Sequence, residues 1–230
     1  MTKFYANPYS VSAHGFYFSS PEGYEQKAAK NIDPGSGGLV EEYSFDFIDG
    51  SDANQKLWSA ISGSGGFFDI ERWYEELEGL SLEDKAKLYW LYDNGVLGSK
   101  DDLDDALAKL DDISLFQGSP KDYAHDLIDD IGVEALSNAD YYFDYEKFGR
   151  DLAMDMDADD EADAYYLSLS DRKRGEEYVD SMGSVGELGK KTAEMYFDYD
   201  ALVRDMEAGG DITEFDFDGN EWVVTNANHV

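Results

Sequence analysis

Hydrophobic positions recur with two different periods along this chain. Between residues 3 and 18, aromatic and small residues alternate loosely, which predicts one or two strands. Residues 41–48 (EEYSFDFI) alternate more strictly, with Tyr43, Phe45 and Phe47 on one face of a half-buried strand. Between these, 21–32 predicts a short helix and 33–38 (DPGSGG) a loop, and a further short helix around 54–61 carries Leu57, Trp58 and Ile61. After the GSGG run at 63–66 the period becomes helical. Ile70, Trp73, Tyr74 and Leu77 fall at i, i+3, i+4 and i+7. Ser81 with Asp84, and Ser99 with Asp102, each resemble a capping box, so three helices are expected up to Leu110. Residues 113–116 predict a short strand. Ser119-Pro120, with Asp122 following, opens a helix to about Ile131. Near the C-terminus, ITEFDF (212–217) and EWVV (221–224) flank Asp218-Gly219, a strong hairpin signal.

The pattern also repeats. YFDYEKFGRDL (142–152) returns as YFDYDALVRDM (196–206) at a constant offset of 54. With one gap the match extends back, pairing Tyr123 in DYAHDLIDDIG with Tyr178 in EYVDSMGSVG. The expected organisation is an α+β chain of small units: an N-terminal α/β domain at 1–66, a helical domain at 67–111, a motif-bearing unit at 112–170, and its second copy at 171–230. Each copy is expected to be a helix-helix-hairpin unit, with the acidic stretch 155–170 in the hairpin's place in the first.

Charge changes this picture most. Asp plus Glu is 52 against 18 Lys plus Arg, a net charge of −34. Self-repulsion of that size opposes compaction. Disorder is a poor account of it, because the chain is 42% hydrophobic and 15% aromatic. The sign argues against direct binding to nucleic acid or an anionic membrane. With no Cys there is no disulfide, thiolate nucleophile or thiolate-bound metal. The N-terminal sequence lacks the basic and apolar regions of a secretory signal, and no apolar run approaches a membrane span, so a soluble, intracellular protein is expected.

Candidate chemistry is sparse. Asp155, Asp157 and Asp159 give D-x-D-x-D, but Asp160 and Tyr166 stand where a calcium loop needs Gly and Glu. His14, His125 and His229 are far apart and form no zinc motif. GSVGELGKKT (183–192) departs from a phosphate loop at Ser184 and at its second Lys. No nucleophile elbow is present, and carboxylate pairs are uninformative among so many. Neither an enzyme nor a cofactor is expected. Arg150 and Arg204 occupy equivalent places in the two copies, in a chain with five Arg, and suggest a structural role at the helix end.

The acids are patterned. Asp101, Asp102, Asp104, Asp105, Asp111 and Asp112 flank an apolar Leu face. Asp122, Asp126, Asp129 and Asp130 form one helical stripe, and Asp155, Asp157, Asp159, Asp160, Glu161 and Asp163 crowd the segment after the first motif. Like charges at i, i+4 cost a helix a few tenths of a kcal/mol per pair, roughly. Asp is a poorer helix former than Glu, yet it is the commoner acid here. Stability alone does not select this pattern. A salt-adapted surface is one account, although Lys outnumbers Arg; a calcium-binding acidic protein is another. A third is imitation of nucleic acid. Duplex DNA carries one charge per ~1.7 Å, so the net charge matches roughly 58 Å, or about 17 base pairs. A compact domain of this length has a radius of gyration of only about 17 Å. An elongated chain, or a dimer, would reach DNA-like spacing.

At the residue level, FYANPYSVSAHGFYFSSP (4–21), EEYSFDFIDG (41–50), the helical stretch through DDLDDALAKLDDISLFQGSPKDYAHDLIDDIG (101–132) and above all ALSNADYYFDYEKFGRDL (135–152) resemble the ArdA antirestriction proteins, DNA mimics of plasmids, transposons and phages. The resemblance implies an elongated, acidic chain of small domains in the bacterial cytoplasm. It implies a homodimer that imitates bent B-form DNA and occupies the DNA groove of type I restriction-modification enzymes. It places Leu136, Tyr142, Phe143, Asp144 and Tyr145 in the antirestriction motif, at or near the dimer interface. Leu188, Tyr196, Phe197, Asp198 and Tyr199 match that motif a second time.

Overall fold

A computed structural model describes residues 1–63, 69–97, 103–136 and 138–230. The fold is α+β, and the chain forms two compact units, 1–117 with 215–230, and 118–214. The four segments anticipated from sequence are therefore grouped differently. The GSGG run (63–66) and the Ser99/Asp102 helix start involve residues outside those described, but no separate unit begins near 67.

The first unit is built on strands β1 (Lys3–Pro8), β2 (Phe16–Phe18) and β3 (Tyr43–Asp49). They form an antiparallel sheet in the order β2-β1-β3, with Phe4 opposite both Phe18 and Phe47. Helix α1 (Pro21–Ala28) is capped by the Ser20 side chain. It ends sooner than the pattern suggests, because the chain turns back at 33–38 and Ile32 bridges Leu39. Asp33 holds that turn. Its carboxylate accepts from the Ser10 and Ser12 hydroxyls and from the Gly35 N–H. Ser12, then Gly35, lower its pKa to about 2. A carboxyl depressed in this way stabilises the fold above its ordinary value near ~4 and loses that contribution as pH falls from there towards 2. A carbon-13 titration of the Asp33 carboxyl is expected to show that low midpoint. Ser12→Ala should move it up towards the ordinary range, and an unchanged midpoint would show that Ser12 does not set it.

Helices α2 (Asp52–Gly63), α3 (Ile70–Arg72) and α4 (Leu82–Asp93) carry the apolar stripe read from sequence. Helix α3 runs into a π-helical turn, Trp73–Leu77, that closes with Glu78 N–H donating to the Trp73 carbonyl. Leu57, Trp58, Ile61, Ile70, Trp73 and Leu77 are buried together with Phe4. The Phe4 ring lies 4.4 Å from Trp58 and meets Trp73 edge-on at 5.7 Å. This shared aromatic centre is why 1–66 and the following helices form one core. Glu78, placed by the π turn, accepts from the N–H and hydroxyl of buried Thr2.

Helix α5 (Leu103–Ala108) leads to strand β4 (Leu115–Gln117). The C-terminal hairpin, β5 (Thr213–Phe217) and β6 (Asn220–Val224), completes a second sheet in the order β4-β6-β5. Asp218 and Gly219 both have positive φ, 52° and 74°, as a type I′ turn requires. Phe217 is fully buried and, with Trp222, packs against Ala53 of α2 and Ala86 of α4. That burial draws the chain's end into the first unit, away from the second copy to which its sequence position assigned it.

The second unit is helical: α6 (Pro120–Ile131), α7 (Tyr145–Asp155), α8 (Glu161–Leu167), α9 (Asp171–Met182), α10 (Lys190–Met195) and α11 (Tyr199–Gly209). Ser119 caps α6 in a full capping box with Asp122, as expected. Segment 155–170 contains a helix, α8, and no hairpin. Helices α7 and α11 begin after equivalent Asp caps at the offset of 54. Helices α6 and α9 correspond differently from the one-gap match. The caps Ser119 and Ser170, the buried pairs Ala124/Gly175 and Ile128/Val179, and the terminal glycines Gly132 and Gly183 align at an offset of 51. Tyr123 therefore corresponds to Arg174 rather than Tyr178, because the buried face of the helix, and not the shared Tyr, sets the register.

Candidate functional site

Most of the described acids of the stripes are exposed. Asp104, Asp105, Asp111 and Asp112 in the first unit are exposed. So are Asp122, Asp126, Asp129, Asp130, Asp155, Asp157, Asp159, Asp160 and Glu161 in the second, while Asp163 is half-buried. Asp101 and Asp102 lie outside the described residues. Several of these acids also have local tasks. Asp122 closes the α6 capping box; its pKa is lowered by the Ser119 hydroxyl and then by the Ser119 N–H. Asp160 caps α8 by accepting from the N–H groups of Ala162 and Asp163. Asp157 accepts from Asp159 N–H, and Asp163 from Asp157 N–H. Asp157, Asp160 and Asp163 thus turn their carboxylates to the segment's own main chain. Among the described residues, no three acidic or histidine side chains converge as metal ligands would.

The few cations divide between main-chain carbonyls and carboxylates, and Lys190 reaches both the carbonyl and the carboxylate of Asp129. Lys27 donates to the Tyr17 carbonyl, Lys85 to that of Glu78, Lys147 to that of Met195 and Lys190 to that of Asp129. Burial lowers the pKa of Lys85, against the attraction of Glu78 and Asp218. Arg174, 5% exposed, donates to the carbonyls of Gly149, Tyr166 and Leu169 and to the Asp171 carboxylate, each at 2.8–2.9 Å. Some surface pairs do form, such as Arg72 with Glu76 and Asp104. Pairs of this kind are worth ~1 kcal/mol or less.

The two YFDY motifs meet face to face. Phe143 and Phe197 form an antiparallel bridge. Asp144 N–H donates to the Tyr196 carbonyl at 2.8 Å, and Asp198 N–H to that of Tyr142 at 2.6 Å. The Tyr142 hydroxyl donates to Asp205 at 2.9 Å, and that of Tyr196 to Asp151 at 3.2 Å. Burial first, then the facing carboxylate, raises the pKa of both phenols. Tyr145 and Tyr199 are likewise raised, mainly by burial. Asp144 and Asp198 cap α7 and α11 by accepting from Lys147 and Ala201 N–H, each at 2.9 Å. Leu136 and Leu188 pack against the same core. A cavity of about 330 Å³ opens beside the bridge, with Tyr141, Lys147 and Met195 in its lining.

Arg150 and Arg204 are both exposed. Arg150 lies 3.8 Å from its neighbour Asp151. The buried cation of this unit is Arg174, which sequence reading missed. Also missed was the close crossing of α7 and α9 at Gly149 and Gly175. Aligning 119–132 with 170–183 by their Ser and Gly ends would have drawn attention to both, since Arg174 and Gly175 replace Tyr123 and Ala124.

Among the described residues no helix is long and apolar enough to cross a membrane. The family model described as antirestriction protein (ArdA) matches residues 38–167, more than half of the chain. That span contains the first motif copy and ends with α8. No curated protein and no solved structure matches the chain.

Proposed function

This chain belongs to the ArdA family of antirestriction proteins, and from that premise we propose that it acts without catalysis, as an acidic DNA mimic occupying the DNA-binding groove of a type I restriction-modification enzyme. The observation that carries the reading is the disposition of charge. Exposed Asp side chains line α6 and the 155–161 segment, and several of the few cations, Lys27, Lys85 and Lys147 among them, donate to main-chain carbonyls. Asp suits such a surface, because its short side chain holds the carboxylate near a fixed backbone. Grooves that bind phosphates with Lys and Arg would recognise these carboxylates by the same electrostatics.

The test is competition. Binding to a type I methyltransferase core should exclude duplex DNA and weaken steeply with salt. For a protein that replaces 6–10 phosphates the expected loss is about a thousandfold or more between roughly 50 and 200 mM salt. Salt-independent binding, or simultaneous binding with DNA, would sink the proposal. If instead the protein fails to bind and calcium raises its melting temperature strongly, the cation-binding reading takes its place.

A further inference from the structure

We infer that the duplicated unit is a two-fold pair closed within a single chain, so that each YFDY edge is the partner of the other and is not available to a second copy of the protein. The contacts are reciprocal at the offset of 54. Tyr142 lies 5.6 Å from Phe197, and Phe143 lies 5.9 Å from Tyr196. Within each copy, Phe143–Tyr145 and Phe197–Tyr199 repeat the same edge contact at 5.0 Å. The main-chain pair Asp144→Tyr196 and Asp198→Tyr142 exchanges both hydrogen bonds of the bridge. The phenol pair Tyr142→Asp205 and Tyr196→Asp151 exchanges both side-chain ones. Helix packing is exchanged as well: α7 of the first copy lies on α9 of the second, and α11 of the second on α6 of the first.

A second chain docking at the motif would need the same donors, acceptors and ring faces. It would have to displace a partner already tethered to them. An intramolecular partner on a short tether acts at an effective concentration in the millimolar range. A second chain at micromolar concentration is thus disfavoured about a thousandfold. The copies are also not interchangeable. Gly149 of α7 meets α9 so closely that an added Cβ would lie 1.9 Å from the Asp171 carbonyl. In α11 the equivalent residue is Val203. Two second copies therefore cannot cross in that way, which favours the first copy with the second. This inference does not depend on what the acidic surface binds.

The experiment mixes two differently isotope-labelled full-length chains in denaturant, refolds them together, and collects isotope-filtered NOE spectra alongside light scattering. NOEs between the Tyr142 and Phe197 rings, and between the Phe143 and Tyr196 rings, are expected only within a chain, at a mass of 25.8 kDa. A doubled mass without interchain NOEs between these rings would place any association elsewhere and still support the internal pair. Interchain Tyr142–Phe197 or Phe143–Tyr196 NOEs would overturn it.

Discussion

Replacing Gly149 by Ala is expected to destabilise the second unit, although the same change in an exposed helix stabilises by about 0.5–1 kcal/mol. The sign reverses because α7 and α9 touch main chain to main chain. A Cβ on Gly149 would lie 1.9 Å from the Asp171 carbonyl oxygen and 2.7 Å from the Gly175 nitrogen. A Cβ on Gly175 would lie 2.2 Å from the Tyr145 carbonyl oxygen. Neither obstacle is a flexible side-chain tip that can swing aside, so the helices must separate. Separation would loosen the Arg174 contact with the Gly149 carbonyl and the packing of buried Phe148. Overpacking typically costs about 1–3 kcal/mol, and contact with rigid backbone puts Gly149→Ala at the upper end, with Gly149→Val beyond it. Urea denaturation followed by helical circular dichroism measures this. A variant as stable as the parent would show that α7 and α9 are further apart than described. Every Trp lies in the first unit, so Trp fluorescence recorded in parallel reports on that unit.

The second large effect is expected at Arg174. Its guanidinium satisfies carbonyls at the end of α8, in the loop that follows and in the middle of α7, besides pairing with Asp171 at the start of α9. Arg174→Met keeps much of the apolar stem and removes every donor. Three carbonyls then lose the guanidinium contact, and the Asp171 carboxylate loses its cation. Asp171 keeps 44% of its side chain exposed, so the loss is mainly that of the charge-assisted hydrogen bonds, each worth about 1.5–3 kcal/mol. Arg174→Lys should recover only part of that, because an ammonium group cannot span the planar fork. The urea midpoints should fall in the order Arg, Lys, Met. Equal midpoints for Lys and Arg would show that charge alone is needed, and an unchanged Met variant would remove Arg174 from the unit's support.

Both predictions rest on residues that the chain's periodicity did not single out. Elements whose signal is local were legible. The Ser81 and Ser119 caps, the Tyr43–Phe45–Phe47 face and the Asp-Gly hairpin each depend on residues within a few positions of one another. The YFDY repeat was legible as a repeat, and the acids of α6 as a solvent-facing stripe. The interlocking of the repeats was not. A single motif shows which residues recur but not whether two copies face each other, and Phe143 and Phe197 are 54 positions apart. The early end of α1 was hidden for a related reason: the turn at 33–38 is held by Ser10 and Ser12, which lie in the connection between β1 and β2.

By itself, then, the sequence determined the α+β character, the helix starts capped by Ser81 and Ser119, the pattern of acids, the duplication and the resemblance to ArdA, because propensity, capping and charge act over a turn or two of chain. Only the tertiary structure decided that the final hairpin belongs to the first unit, where buried Phe217 and Trp222 find an apolar partner surface. It alone decided that the two motifs are each other's partners, and that one arginine and two glycines hold the second copy against the first. Those outcomes follow from which distant surfaces can bury apolar area and satisfy carbonyls together, a condition that no local stretch of chain contains.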